Sequence, residues 1–294
     1  MSAPPGTETG RPEPEASGGV RRGRRLNGGL VVGGVIVLGV IAMALVSFVW
    51  TPHDPTLVDP AVRLQRPSAD YWFGTDKFGR DVFSRIMVGA RITLFVGFVA
   101  VGVAALVGVP LGIVAGMAPR WFGEPLMRGN DLLLAFPALL LAIMFAAVYG
   151  ASTLVAMVAI GIATIPSFAR LVRSGTLQVL GTEYAMAARA AGRSPFAIGL
   201  RHVLPNVSSL VIVQASVGFA IAVLAEAALS FLGFGTPPPT PSWGRMLQES
   251  QELLFAAPLL AVFPGLAIAI AVLGFNLLGD GLRDYFDPKL QDRR

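Results

Sequence analysis

The chain has 294 residues, 54% of them hydrophobic and 14% charged, and its mean hydropathy of +0.66 lies outside the range of soluble globular domains. It has no cysteine and only two histidines, His53 and His202, which excludes disulfides, iron–sulfur sites and cysteine-based zinc sites and makes any metal site unexpected. A net charge of +5 is modest, its placement matters more than its sum, and no nucleic-acid partner is expected.

Residues 1–28 are rich in Pro, Gly, Glu and Ser without apolar periodicity, the composition of a disordered tail. The tail ends in Arg21-Arg22-Gly23-Arg24-Arg25, directly before an apolar run from Gly29 to Trp50. A basic flank and an apolar run also suit a cleavable signal peptide. However, this run is long enough to span, and Ala42-Met43-Ala44 lies inside it, so an uncleaved first span is expected.

Residues 51–92 turn polar, with Pro52, Pro55, Pro60 and Pro67 preventing an early helix. Asp81 is placed to cap a helix with Val82, Ile86 and Met87 facing one way and Arg80, Ser84 and Arg91 another, read as an interfacial amphipathic helix. A second span covers 93–117, then a short loop with Arg120 and Arg128. The apolar stretch 132–166 is too long for one span and divides at Tyr149–Thr153, which predicts spans at 132–149 and 153–172. A fifth span is expected at 208–232, a proline-rich loop at 233–244 and a sixth span at 255–278. Pro110, Pro137, Pro166 and Pro264 fall in or near spans, where neighbouring helices absorb kinks. The resulting division is a tail (1–28), a first span with an outer segment (29–92), a core of five spans (93–279) enclosing a polar loop at 173–207, and a charged tail (280–294).

The N-terminal tail, the 118–131 and 170–207 loops and the C-terminal tail hold 16 of the 23 Lys and Arg residues, so both termini are expected in the cytoplasm. The 51–92 and 233–254 loops, on the other side, hold 7, several of them expected to snorkel from the interfacial helix.

The longest ordered-looking polar stretch is 183–206. Alanine dominates its first part, and Tyr184, Ala187, Ala188 and Ala191 at i, i+3, i+4 and i+7 give one smooth helical face. Gly192 stops this helix, and Ser194-Pro195 starts another as N-cap and first helical residue. Phe196, Leu200, Val203 and Leu204 form an apolar stripe opposite Arg201 and His202, and Pro205 is expected to end the unit. By itself this helix–turn–helix suits an amphipathic connector on a lipid surface.

Ala187-Ala188, Gly192 and Leu204-Pro205, correctly spaced, resemble the EAA loop of ABC-importer membrane subunits. The glutamate that names the motif falls at Met186 here, with Glu183 one turn earlier. Gly74-Thr75-Asp76, Gly79-Arg80-Asp81 and Ser84-Arg85 resemble the segment before the second span of one branch, the second permease subunit of dipeptide, oligopeptide and nickel systems. Glu226 with Leu229-Ser230-Phe231-Leu232-Gly233, Pro241-Ser242-Trp243-Gly244, and the ending from Gly279 to Pro288 are similar to the same branch.

The resemblance implies an all-α polytopic protein of six transmembrane helices with the type I importer permease fold, in a bacterial or archaeal plasma membrane. It also implies a related second permease, two cytoplasmic ATPases that hold the ATP and magnesium, and an extracytoplasmic solute-binding protein. This chain would carry no cofactor. Glu183, Tyr184, Met186, Ala187, Ala188, Arg189, Gly192, Arg193, Arg201, Leu204 and Pro205 would couple it to an ATPase. Closure of the ATPase dimer would move this loop as a lever and open the spans outward. Peptides are the expected cargo, with nickel complexes the alternative.

No catalytic residues are predicted. Lys77 and Lys289 are the only lysines and neither follows a Gly-x-x-x-x-Gly spacing, so this chain is not the ATPase. A serine hydrolase would have to use His53 or His202, both outside the spans. Glu226 is the carboxylate well inside a span, where an ionisable group marks either function or a specific hydrogen-bonded partner. Gln214, Ser230 and Asn276 join it as candidates for lining a translocation path, each equally suited to interhelical hydrogen bonding. An ion-gradient carrier with Glu226 as proton site is the rival class.

Overall fold

The computed structural model describes residues 28–286, and among them it is all helical, apart from one isolated bridge between Thr75 and Asp81. Of the tail expected at 1–28, residues 1–27 lie outside the described range, as do the last eight residues, and Gly28 already belongs to the first helix. Helix α1 (Gly28–Val49) is followed by an irregular segment to Asp81, and α2 (Val82–Met117) runs without interruption for 36 residues. Next come α3 (Arg120–Leu132), α4 (Ala138–Tyr149), α5 (Thr153–Leu180) and the short α6 (Glu183–Ala190). After α7 (Pro195–Ile198) and one π turn (Gly199–Val203) come α8 (Leu204–Phe231), α9 (Trp243–Ser250) and α10 (Leu259–Phe286).

Among the described residues, five helices are long and apolar enough to cross a membrane: Gly28–Val49, Val82–Met117, Thr153–Leu180, Pro195–Phe231 and Leu259–Phe286. The sixth crossing expected at 132–149 is not a straight span. Arg120–Ala135 and Ala138–Tyr149 meet at 80°, because Pro137 forces Phe136 into an extended conformation (φ −96°, ψ 129°) and α4 has only 12 residues.

Further boundaries differ from the sequence reading. Helix α5 runs to Leu180, past the expected span end at 172, and takes in the first part of the polar loop expected at 173–207. The interfacial helix before the second span is instead the first turns of α2, and Val82, Ser84, Arg85, Ile86 and Met87 are all buried there. Pro205 does not end a unit, for the chain from Pro195 to Phe231 forms one rod. The C-terminal tail begins later than expected, since α10 continues through Phe286. Gly281 packs so closely on α1 that a Cβ there would lie 2.6 Å from the Leu30 backbone.

The bundle packs through small residues, as membrane helices do when apolar burial gives them no preference over lipid. Gly108, Gly112 and Gly116 on α2 lie one turn apart against α5. Added Cβ atoms would fall 2.7 Å from Phe168 Cβ, 2.6 Å from the Ala169 carbonyl and 2.7 Å from Thr176 Cγ2. Helix α8 lies against α2, α5 and α10, and Phe219 stacks on Phe275 at 4.1 Å between ring centres. The C-terminal ends of α2 and α5 and the start of α8 carry the 181–207 segment, while α9 sits where α8 ends and α2 begins.

Candidate functional site: a lever seat at one end and a clamped helix at the other

The 181–207 segment is shaped by local chemistry. Helix α6 has Glu183 in its first turn and Arg189 in its last, each complementing the helix dipole. Gly192 takes φ +76°, and the Arg193 amide donates to the Ala188 carbonyl at 3.2 Å, closing the helix by the left-handed turn that glycine permits. Ser194 caps α7, its Oγ accepting from the Ala197 amide at 3.3 Å, with Pro195 in the first turn. These turns agree with the sequence reading.

The continuation through Pro205 has a structural cause. Proline offers no amide and its ring crowds the carbonyl four residues back. The π turn at Gly199–Val203, with the Leu204 amide donating to the Gly199 carbonyl, widens the helix just before Pro205 and absorbs both problems.

Burial divides the segment into a seat and a free surface. Ile198, Val203 and Val207 are buried with Val172 and Val179 of α5, and Ile113 and Met117 of α2 pack against them. Ala185 is buried and Ala188 half-buried. The expected apolar stripe is therefore split: Val203 points inward, Leu204 is half-buried, and Phe196 and Leu200 are 79% and 57% exposed. Of the predicted coupling residues, Glu183, Tyr184, Met186, Ala187, Arg189, Gly192, Arg193, Arg201 and Pro205 are exposed. Tyr184 leans on His202 with ring centres 6.0 Å apart. The sequence reading missed Ile198 and Val207 as anchors and Phe196 and Leu200 as presented side chains; a seat built on two other helices leaves no signal in the segment's own spacing.

At the opposite end, Glu226 and Ser230 are each 1% exposed, enclosed by the chain's own packing. Ser230 Oγ donates to Glu226 Oε1 at 2.6 Å, and Thr236 Oγ1 donates to the same oxygen at 3.3 Å. The Thr236 amide donates to Ser230 Oγ at 3.0 Å, and Thr153 at the start of α5 joins through Thr236 at 3.3 Å. The buried Ser242 is the N-cap of α9, its Oγ accepting from the Arg245 amide at 3.2 Å. Gln214 is half-buried and Asn276 exposed, and among the described residues no hydrogen bond brings either to this pair.

Helix α9 is held a second time on α2. The buried Trp243 indole donates to the Ile86 carbonyl at 2.9 Å. Glu249 accepts from Arg80 at 2.6 Å and from Arg85 at 2.9 Å, and Asp76 pairs with the same two arginines at 2.7 and 3.3 Å. Asp76 also shapes its own loop, accepting from the Phe78 and Arg80 amides, with Gly74 (φ +76°) and Gly79 (φ +81°) completing the turn. Asp81 caps α2 through the Ser84 amide at 2.9 Å, as its position predicts. Arg80 and Arg85 thus do not snorkel; they pair with Asp76 and Glu249 inside an ion network that Arg245 joins through Glu249 at 3.4 Å.

With this geometry in hand, comparison with known proteins defines the class. The family described as "Binding-protein-dependent transport system inner membrane component" matches residues 108–292. The chain is 48% identical over 233 residues to the dipeptide transport system permease protein DppC of Alkalihalophilus pseudofirmus, covering 79% of this chain and 77% of that protein. It is 45% identical over 225 residues to the glutathione transport system permease protein GsiD of Pectobacterium atrosepticum, covering 76% and 75%. Among solved structures, a chain of the MetNI methionine ABC transporter in inward-facing conformations aligns with a TM-score of 0.59 at 18% identity, over 69% of this chain and 97% of that one.

The fold is that of a type I ABC-importer permease. This chain belongs to the family of binding-protein-dependent transport system inner membrane components, as a multi-pass membrane subunit of an ABC importer.

Proposed function

We propose that the chain is one permease half of an ATP-driven importer of short peptides. It pairs with a related permease, two cytoplasmic ATPases and an extracytoplasmic solute-binding protein in a bacterial or archaeal plasma membrane. The observation that carries this reading is the 48% identity, along 79% of the chain, to a dipeptide transport system permease. The 181–207 segment faces the cytoplasm with both termini and seats an ATPase, which supplies the ATP and magnesium chemistry. In support, nine of its eleven candidate coupling residues are exposed on a seat fixed by Ile198, Val203 and Val207. Peptide crosses at the interface between the two permeases, and the exposed Asn276 and half-buried Gln214 are this chain's candidates for contact with the path.

Uptake of a labelled dipeptide in cells with and without this chain tests the reading. Uptake should disappear with the chain and return with it, should stop on ATP depletion, and should survive collapse of the proton gradient when ATP is maintained. Uptake that persists without the chain, or that follows the proton gradient instead of ATP, overturns the proposal.

A further inference from the structure

Glu226 stands deep in a span yet touches no open space. Its hydrogen-bond partners among the described residues lie on α8 and in the loop that leads into α9. Ser230 lies one turn further along α8 and donates to Oε1 at 2.6 Å. Thr236 belongs to the loop that folds back over the end of α8; its hydroxyl donates to the same oxygen, and its amide closes the ring through Ser230 Oγ. The loop leads into the buried Ser242, which caps the start of α9. The backbone confirms how tightly the loop is drawn in. A Cβ on Gly244 would lie 2.7 Å from Ala227 Cα. Beyond this node, Trp243 and Met246 are buried against Ile86, Ala90 and Val223.

A lone carboxylate accepts several hydrogen bonds at once, and two hydroxyl donors, one from α8 and one from the loop after it, converge on one oxygen of this one. In a low-dielectric interior such convergence fixes geometry strongly, because a donor without its acceptor is costly. We infer that Glu226 is a positioning residue: it fixes the loop after α8 and, through that loop and the close seating of Gly244 on Ala227, the register of α9 across the ends of α2 and α8. Its part in transport is exerted through α9, which shapes the far mouth of the bundle, and not by contact with the solute or by carrying a proton. This role in transport rests on the permease reading, whereas the placement of α9 does not.

The absence of native cysteine makes a clean test possible. Met246 is 6% exposed on the inner face of α9, so Met246→Cys reports whether α9 stays seated. The full importer is probed in permeabilised membranes with a hydrophilic maleimide, which reads α9 whichever side it faces, and dipeptide uptake is measured in parallel. Glu226→Leu, which fills the space but accepts nothing, should expose Met246→Cys and lower uptake at least tenfold. Glu226→Gln keeps a carbonyl acceptor; it should leave Met246→Cys sheltered and rescue uptake to within about threefold of the parent. Thr236→Val, which removes one donor and leaves Glu226 in place, should give an intermediate result if Glu226→Leu fails to accumulate. The inference is overturned if Glu226→Gln loses uptake with Met246→Cys still sheltered, which would assign the carboxylate a chemical part. It is equally overturned if Glu226→Leu and Thr236→Val both leave the label excluded and uptake intact. Failure of the ATP-dependence test would sink the permease reading and leave the labelling result standing.

Discussion

Gly192 shows how one residue fixes the shape of the 181–207 segment. It holds φ +76°, and a Cβ placed there would meet nothing within 4 Å, so the demand is for backbone conformation and not for space. A branched side chain in that region costs about 1–3 kcal/mol, whereas asparagine tolerates it. Gly192→Val should therefore reduce uptake at least tenfold while Gly192→Asn stays within about twofold of the parent, with membrane amounts unchanged in both. Ala188→Pro, which breaks α6 where its carbonyl receives the Arg193 amide, should match Gly192→Val. Equal uptake by all three would show that the turn does not shape the lever. Such residues were legible in the sequence because their partners are close: Gly192, Ser194 and Asp81 act within five residues of themselves. Glu249 was not legible, because Arg80 and Arg85 lie 169 and 164 residues away and the spacing of one segment says nothing about the other.

Between elements, the glycines of α2 decide how near α5 can come. Gly112 faces the Ala169 carbonyl at 2.6 Å and Val172 Cβ at 2.8 Å from a projected Cβ, and backbone cannot yield as a flexible side chain can. Gly102, on the same helix, has nothing within 4 Å. Gly112→Leu should lower the thermal unfolding midpoint of the detergent-solubilised complex by several degrees, as overpacking of about 1–3 kcal/mol implies, and Gly102→Leu should leave it unchanged. Equal effects would mean that the α2–α5 approach is not set by these glycines. Hydropathy located these helices but not their ends. It follows the apolar run, so it cut α2 at residue 93, although the helix begins at Val82 with its charges paired. Pro205 misled the reading for a related reason: a proline signals a break unless a π turn precedes it, and the five residues of that turn have no distinctive composition.

On the scale of the molecule, the polar 181–207 segment and α9 occupy opposite ends of one bundle, and the proposed orientation, read from the balance of basic residues, has the former inside the cell. Ala191 and Gln251 are both exposed, one at each end. In otherwise cysteine-free protein, an impermeant maleimide applied to intact cells should label Gln251→Cys and leave Ala191→Cys untouched until the membrane is opened. The reverse pattern would turn the protein over and end the ATPase-seat proposal. The overall class was readable from composition and motif spacing together, because a chain this apolar has few options but a helical bundle. The bend at Pro137 and the ion network around α9 were not, since each depends on what the neighbouring helices leave room for.

The unbroken rod from Pro195 to Phe231 has a mechanical meaning. With no joint along its length, it conveys torsion as well as thrust. A roll of about 20° imposed at its Pro195 end would sweep side-chain atoms at the far end, at a radius of about 5–6 Å, through roughly 2 Å. Glu226 rides on the rod and Thr236 lies beyond it, so that sweep exceeds the slack in the 3.3 Å bond between them. A twist begun at one face of the bilayer would therefore reach the threonine contact at the other directly, with the helix itself as axle.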